Sequence, residues 1–170
     1  MADKELLISW LRDAHAMETA LIPILEQHAK DARDNQVVAQ RISLHAEQTR
    51  RHAELVRGCL ERLNVGESMM KSGASNVLGW AHAYSTKMFS DENVKNSLTD
   101  YAVEHFELAC YKALAQAAMT IGDTQIADTC RMIEQDEREM ADFLSDHLPA
   151  IVREAMTRPA AATASSPRNR

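Results

Sequence analysis

Aromatic residues make up only 5% of this 170-residue chain, which also has just five glycines, four prolines and three cysteines. A length of one-domain size buries roughly 70% of the surface its unfolded chain exposes. With so few aromatics, that core has to be filled by aliphatic side chains and Met. The shortage of glycine and proline suits long helical stretches of Ala, Leu, Glu, Gln and Arg. The cysteines, Cys59, Cys110 and Cys130, are odd in number, and no two stand at CxxC spacing. That argues against a disulfide framework or a zinc knuckle, and the three are expected as plain thiols packed like small hydrophobes.

Other absences bound the function. The formal net charge is -6, against the basic face of a general nucleic-acid binder and compatible with cation binding. No run of 18 apolar residues occurs, so no membrane span is expected. The charged start Met-Ala-Asp-Lys-Glu leads straight into an amphipathic segment, without the pattern of a signal peptide. A cytoplasmic protein is the expectation.

Helical periodicity organises most of the chain. Leu7, Leu11, Ala14, Leu21, Ile22 and Leu25 recur at three- and four-residue steps, predicting a first helix over 3–30 with Asp3 as its N-cap and a kink or a lost backbone bond at Pro23. Asp34-Asn35 breaks the pattern. A second helix is expected to about Leu63, with Val38, Ile42, Val56, Cys59 and Leu63 on one stripe, and Asn64-Val65-Gly66 as its stop. Residues 66–90 hold three glycines and several serines beside Val77, Leu78, Trp80, Tyr84 and Met88. They read as a long crossover with a short helix in it, carrying the chain from one end of a bundle to the other. A third helix is expected over 91–121, with a turn at Gly122-Asp123. A fourth is expected over 124–147, with Ile126, Cys130, Ile133, Met140 and Leu144 inward. Pro149 should interrupt it and leave a short C-terminal helix to 156. Residues 157–170 read as a disordered tail. The fold class is therefore all-α: an antiparallel four-helix bundle over 1–156 with a long crossover between helices 2 and 3 and a short C-terminal helix.

Inward stripes should be apolar, and each long helix breaks this rule. Glu18 stands between Ala14 and Leu21, with His15 three residues earlier. His45 is in line with Ile42 and is followed by Gln48, Thr49 and His52. Glu104 and Glu107 lie around the line of Tyr101, Leu108 and Tyr111. Glu134 and Glu137 fall between Ile133 and Met140. Residues three apart share a helix face, so His15/Glu18, His45/Gln48, Glu104/Glu107 and Glu134/Glu137 are four side-by-side pairs. Glu18 precedes His45 by 27 residues and Gln48 by 30; Glu107 precedes Glu134 by 27 and Glu137 by 30. A shift of 89 maps the first set, and His15 with it, onto the second. Two hairpins of like geometry would bring all four pairs to one height about a pseudo-twofold axis.

A single Glu on an amphipathic helix is usually solvated, and the run Glu134-Gln-Asp-Glu137 reads equally as a wet face. Together the residues carry more. A buried unpaired carboxylate costs several kcal/mol or takes a proton, and several at one level repel. A pair of divalent ions removes the conflict, and carboxylate oxygens with imidazole nitrogens suit iron or manganese. The competing reading is a bundle whose buried Glu and His pair with each other or with Arg131 and Lys112.

At the Glu18 helix, His45-Ala-Glu-Gln-Thr49, Glu104-His-Phe-Glu107-Leu-Ala-Cys-Tyr111 and Glu134-Gln-Asp-Glu137 the sequence resembles the ferritin-like superfamily, and more closely the YciE/YciF-type stress proteins of bacteria. The resemblance covers about residues 5–148. It implies a ferritin-like four-helix bundle with a di-iron centre, a homodimer, and a link to stress. It implies Glu18 and Glu107 as single carboxylates, with His45 and position 48 as one pair and Glu134 with Glu137 as the other. Glu104 would be an extra ligand or lie just behind the ligands. Position 48 looks like Glu in relatives and is Gln here, and a neutral amide cannot bridge two metals. The site would then hold one metal tightly, hold two asymmetrically, or recruit Glu47 or His52. Of Glu47 and His52, His52 lies on the inward face and is preferred.

Two functions follow as expectations. One is a ferroxidase- or peroxidase-type redox protein acting on oxygen or peroxide, with Glu18, His45, Glu107, Glu134 and Glu137 on iron. The other is a non-catalytic helical protein that works as a dimer through apolar residues such as Trp10, Trp80 and Phe89.

Overall fold

A computed structural model describes residues 2–66 and 91–157, the backbone alone at Ala2. The expected crossover with its short helix, Trp80 and Phe89 lie outside the described residues, as does the tail from 158 onward.

Four helices make up the described chain: α1 (Ala2–Asp31), α2 (Gln36–Arg62), α3 (Glu92–Thr120) and α4 (Thr124–Thr157). Their ends follow local chemistry. The Asn35 side chain accepts a hydrogen bond from the Val38 N–H (3.3 Å) and Asp91 accepts from Val94 (3.2 Å), each satisfying an N–H that an open helix end leaves without a partner. Asp123 does the same for Ile126 (3.1 Å). Asn64, in the stop after α2, takes the left-handed conformation at φ 65°, and Gly122 between α3 and α4 sits at φ 81°, where a glycine is strain-free.

Two expectations at helix ends are corrected. Asp3 lies inside the first turn of α1 rather than at its cap, where its charge still suits the helix dipole. Pro149 does not interrupt the fourth helix: α4 continues to Thr157, so the short C-terminal helix is its last turns. Proline removes one backbone bond, but Ile151 beyond it is buried in the core, and packing outweighs the loss. Pro23 likewise sits within a continuous α1.

α1 packs chiefly on α2 and α3 chiefly on α4, and the hairpins meet through α1–α3 and α2–α4. At one end, Arg62 pairs with Asp123 at 3.0 Å. At the other, Asn96 donates to Asp31 (3.1 Å) and His28 meets Asp100 (2.7 Å). The chain therefore leaves α2 at one end and begins α3 at the other, so neighbouring helices all run antiparallel. Leu7, Leu11, Ile42, Leu60, Ile126, Ile133, Met140 and Leu144 fill the core, with Cys59 and Cys130 buried among them as free thiols. Cys110 is half-buried. Among the described residues no helix is long and apolar enough to cross a membrane.

Candidate metal centre

The inward stripes turn polar at mid-bundle. Glu18 on α1, His45 and His52 on α2, Glu104 and Glu107 on α3 and Glu137 on α4 are all at most 2% exposed. His45 and His52 stand two helical turns apart, and Glu104 and Glu107 one turn apart, so each helix presents its pair on one face.

Glu137 lies at the middle. Its Oε2 is 3.3 Å from Nε2 of His45, which is also 3.1 Å from Oε1 of Glu104. Its Oε1 is 2.7 Å from Nδ1 of His52, which lies 3.8 Å from Oε2 of Glu18. Two groups of three potential ligands result, Glu18/His52/Glu137 and His45/Glu104/Glu137, with the ligand atoms of each within 4.8 Å of one another. Glu137 belongs to both.

The electrostatics are those of a crowded anionic pocket. Burial, reinforced by Glu137 and opposed by His52 and the Tyr111 hydrogen bond, pushes the Glu18 carboxyl up to about 8. Burial also pushes Glu104 up to about 8 against the pull of His45. Burial and the charges of Glu137, Glu18 and Glu104 raise Glu107 well above the carboxylate range. Burial would raise Glu137 too, but His52 and His45 hold it below its ordinary value. For His45, burial is outweighed by Glu104, Glu137 and Glu18, which carry it up to about 9. His52 is raised by Glu137 and Glu18 in the same way, against burial.

Hydrogen bonding leaves this interior unfinished. The Tyr111 hydroxyl donates to Oε1 of Glu18. Oε2 of Glu18, Oε2 of Glu104, Oε1 of Glu107, both oxygens of Glu137, Nδ1 of His45 and Nδ1 of His52 are buried without a hydrogen-bond partner. The close approach of His52 Nδ1 to Glu137 does not align as a hydrogen bond. Such atoms are normally satisfied. Here they are carboxylate oxygens and imidazole nitrogens converging from four helices, which is the donor set of a hard or borderline divalent cation. No Lys or Arg is buried among the described residues. Arg131 is turned out to Asp128 at 2.8 Å and Lys112 is exposed, so neither neutralises the cluster.

Of the residues singled out from sequence, Glu18, His45 and Glu137 come together, and Glu107 is buried within the same field of charges. Glu104 and His52 are full members of the two groups. Glu134 belongs to neither: it is 19% exposed and accepts a hydrogen bond from Arg138 at 2.9 Å. Arg138, four residues on, is a local partner visible in the sequence. Gln48 is half-buried and accepts from Arg41 at 3.1 Å. Glu47 is exposed and paired with Arg50. His15 is half-buried, its pKa lowered by burial, and it faces the charges of Glu54 and Arg57 rather than the cluster. Asp136 belongs to the run that reads equally as a wet face, yet its Oδ2 lies 3.0 Å from Nε2 of His52. That contact joins two helices, and no local pattern announces it.

A family model described as "Domain of unknown function (DUF892)" matches residues 2–157. A protein of Xanthomonas campestris pv. campestris is 32% identical, with 92% of this chain and 97% of that one covered at a TM-score of 0.78. The Escherichia coli stress protein YciF is 21% identical, covering 89% and 98% at a TM-score of 0.76. A bacterioferritin of Desulfovibrio desulfuricans with a diiron site is 20% identical, covering 98% and 96% at a TM-score of 0.67. The fold is ferritin-like, and its buried carboxylate–histidine cluster is compatible with a two-metal site.

Proposed function

This chain belongs to the DUF892 family, of YciF type among the ferritin-like bundles, and from that premise we propose that it is an iron-binding protein holding two iron ions in its core. The observation that carries the reading is a charge balance. Four carboxylates, Glu18, Glu104, Glu107 and Glu137, share one interior with two imidazoles and no buried Lys or Arg among the described residues. Without a metal, protons have to make up the difference: burial raises Glu18 and Glu104 to about 8 and Glu107 well above the carboxylate range. Two divalent ions balance all four with both imidazoles neutral, as metal ligands must be.

Glu18 and His52 would hold one ion and His45 and Glu104 the other, with Glu137 between them and Glu107 alongside. Iron would supply one-electron redox chemistry toward oxygen or peroxide. The chain's own residues do the rest. Leu11, Ile42, Ile133 and Met140 are among the apolar residues of the same core. Tyr111 holds Glu18 by its Oε1, leaving Oε2 for the ion. A role in peroxide or iron stress, in the cytoplasm and as a homodimer, completes the proposal. YciF is described as a stress protein, the bacterioferritin has a diiron site, and Leu6 and Trp10 are exposed one turn apart on α1.

Anaerobic loading with ferrous iron followed by elemental analysis tests it, and two ions per chain is the expected result. No bound metal after such loading overturns it. Manganese suits the same donors, so a competition titration identifies the preferred ion. The same sample on a sedimentation run reports the dimer.

A further inference from the structure

We propose that Asp136 is a positioning residue that fixes the imidazole of His52 with its Nδ1 lone pair toward Glu18 and Glu137, and so makes a ligand of it. This rests on the two-metal reading above.

Consecutive residues of α4 bracket one ring of α2. Asp136 Oδ2 lies 3.0 Å from Nε2 of His52 and Glu137 Oε1 lies 2.7 Å from Nδ1. A neutral imidazole has one N–H and one lone pair. An ion held between Glu18 and Glu137 needs the Nδ1 lone pair, so the remaining ring proton sits on Nε2, where the Asp136 oxygen accepts it. The other tautomer would set a lone pair against the Asp136 carboxylate and aim a proton between Glu18 and Glu137. Carboxylate-to-histidine contacts behind a metal ligand act in this way, fixing tautomer and ring orientation.

The contrast with His45 sharpens the point. That ring faces Glu104 and Glu137 through Nε2, and its Nδ1 has no hydrogen-bond partner. The two imidazoles thus offer opposite nitrogens to the same carboxylate, and one of them is held from behind. His52 is fully buried while Asp136 is 25% exposed, so the side chain of Asp136 can be altered from the surface with little disturbance to the core.

Zinc, a diamagnetic probe with the same preference for imidazole and carboxylate, reads this out without any turnover. Calorimetric titration of the metal-free protein should show two ions per chain. In Asp136→Ala one position should keep its affinity while the other weakens about 10- to 100-fold. Asp136→Asn, whose amide oxygen still accepts from Nε2–H, should recover most of that loss, which a merely structural defect would not. Nitrogen-15 NMR of the zinc-loaded wild type should show His52 protonated on Nε2. A proton on Nδ1 overturns the assignment, and so do two wild-type affinities in Asp136→Ala. If the wild type takes up neither zinc nor iron, the two-metal reading falls and takes this one with it. Two ions in the wild type with an insensitive Asp136→Ala would fell the assignment of Asp136 alone.

Discussion

The hairpin α1–α2 and the hairpin α3–α4 place like positions 89 residues apart, but they contribute unlike chemistry. Only Glu18 and Glu107 are both buried. At the other three positions one member is inside and its counterpart is not: His45 against Glu134, Glu137 against Gln48, Glu104 against His15. The first hairpin therefore supplies one carboxylate and two imidazoles, the second three carboxylates. Equal spacing sets equal height along the bundle. It does not set which side chain turns in, because a position at the edge of the inward stripe goes to whichever partner it finds. Arg138 draws Glu134 outward and Arg41 draws Gln48.

The largest expected effect compares Glu137 with Gln48. Glu137→Ala removes the carboxylate that both ligand groups share and should take iron uptake from two per chain to none by elemental analysis. Gln48→Ala should leave uptake unchanged, and an equal loss in both would restore the twofold picture. Next comes His45 against Glu134. His45→Ala should bind one ion, whereas Glu134→Ala should bind two and lose under about 1 kcal/mol by denaturant titration, the scale of a partly exposed ion pair.

A smaller effect is in the pH dependence. Glu18 and Glu104 have folded-state values of about 8, above the ordinary 4.5. A carboxyl raised in this way folds best protonated, so its contribution is present below 4.5 and lost as pH rises through about 8. His45, raised from 6.5 to about 9, adds a contribution present below 6.5 and lost through about 9. Both have the same sign. The metal-free protein should lose thermal stability as pH rises through 8, while bound cations replace those protons. The difference in Tm between loaded and chelated protein should then widen with pH; a constant difference would mean that these groups do not face the ions.

The smallest effect lies away from the centre, where the hairpins meet at the bundle end. His28 is raised above 6.5 by its hydrogen bond and charge interaction with Asp100, against burial. Its contribution is complete below 6.5 and fades as pH climbs through the raised value. A His28→Asn variant should lose a little Tm below pH 6.5 and converge with the wild type at high pH, as scanning calorimetry can check.

Much of this was legible in the sequence. The stripes of α1, α2 and α4 mark those helices, and Asn35, Asp91 and Asp123 mark starts because each can cap. α3 was harder on its inner face, where Asn96, Ser97, Thr99, Asp100, Glu104 and Glu107 are all buried; its ends gave it away. The run past Pro149 was not legible, since the burial of Ile151 that holds it belongs to the assembled bundle. At the site, the repeated 27- and 30-residue spacings brought out Glu18, His45, Glu107 and Glu137. They also brought in Glu134, whose local partner Arg138 was a cue to leave it outside.

The sequence by itself determined the four helices of the described residues, their antiparallel order and the height at which acidic and imidazole groups gather, because periodicity and turn residues act within a few residues of chain. Only the tertiary structure decided that His52 and Glu104 join Glu137 while Glu134 does not, and that Asp136 stands behind His52. Those outcomes depend on contacts between helices, where a buried charge goes to the partner that can satisfy it.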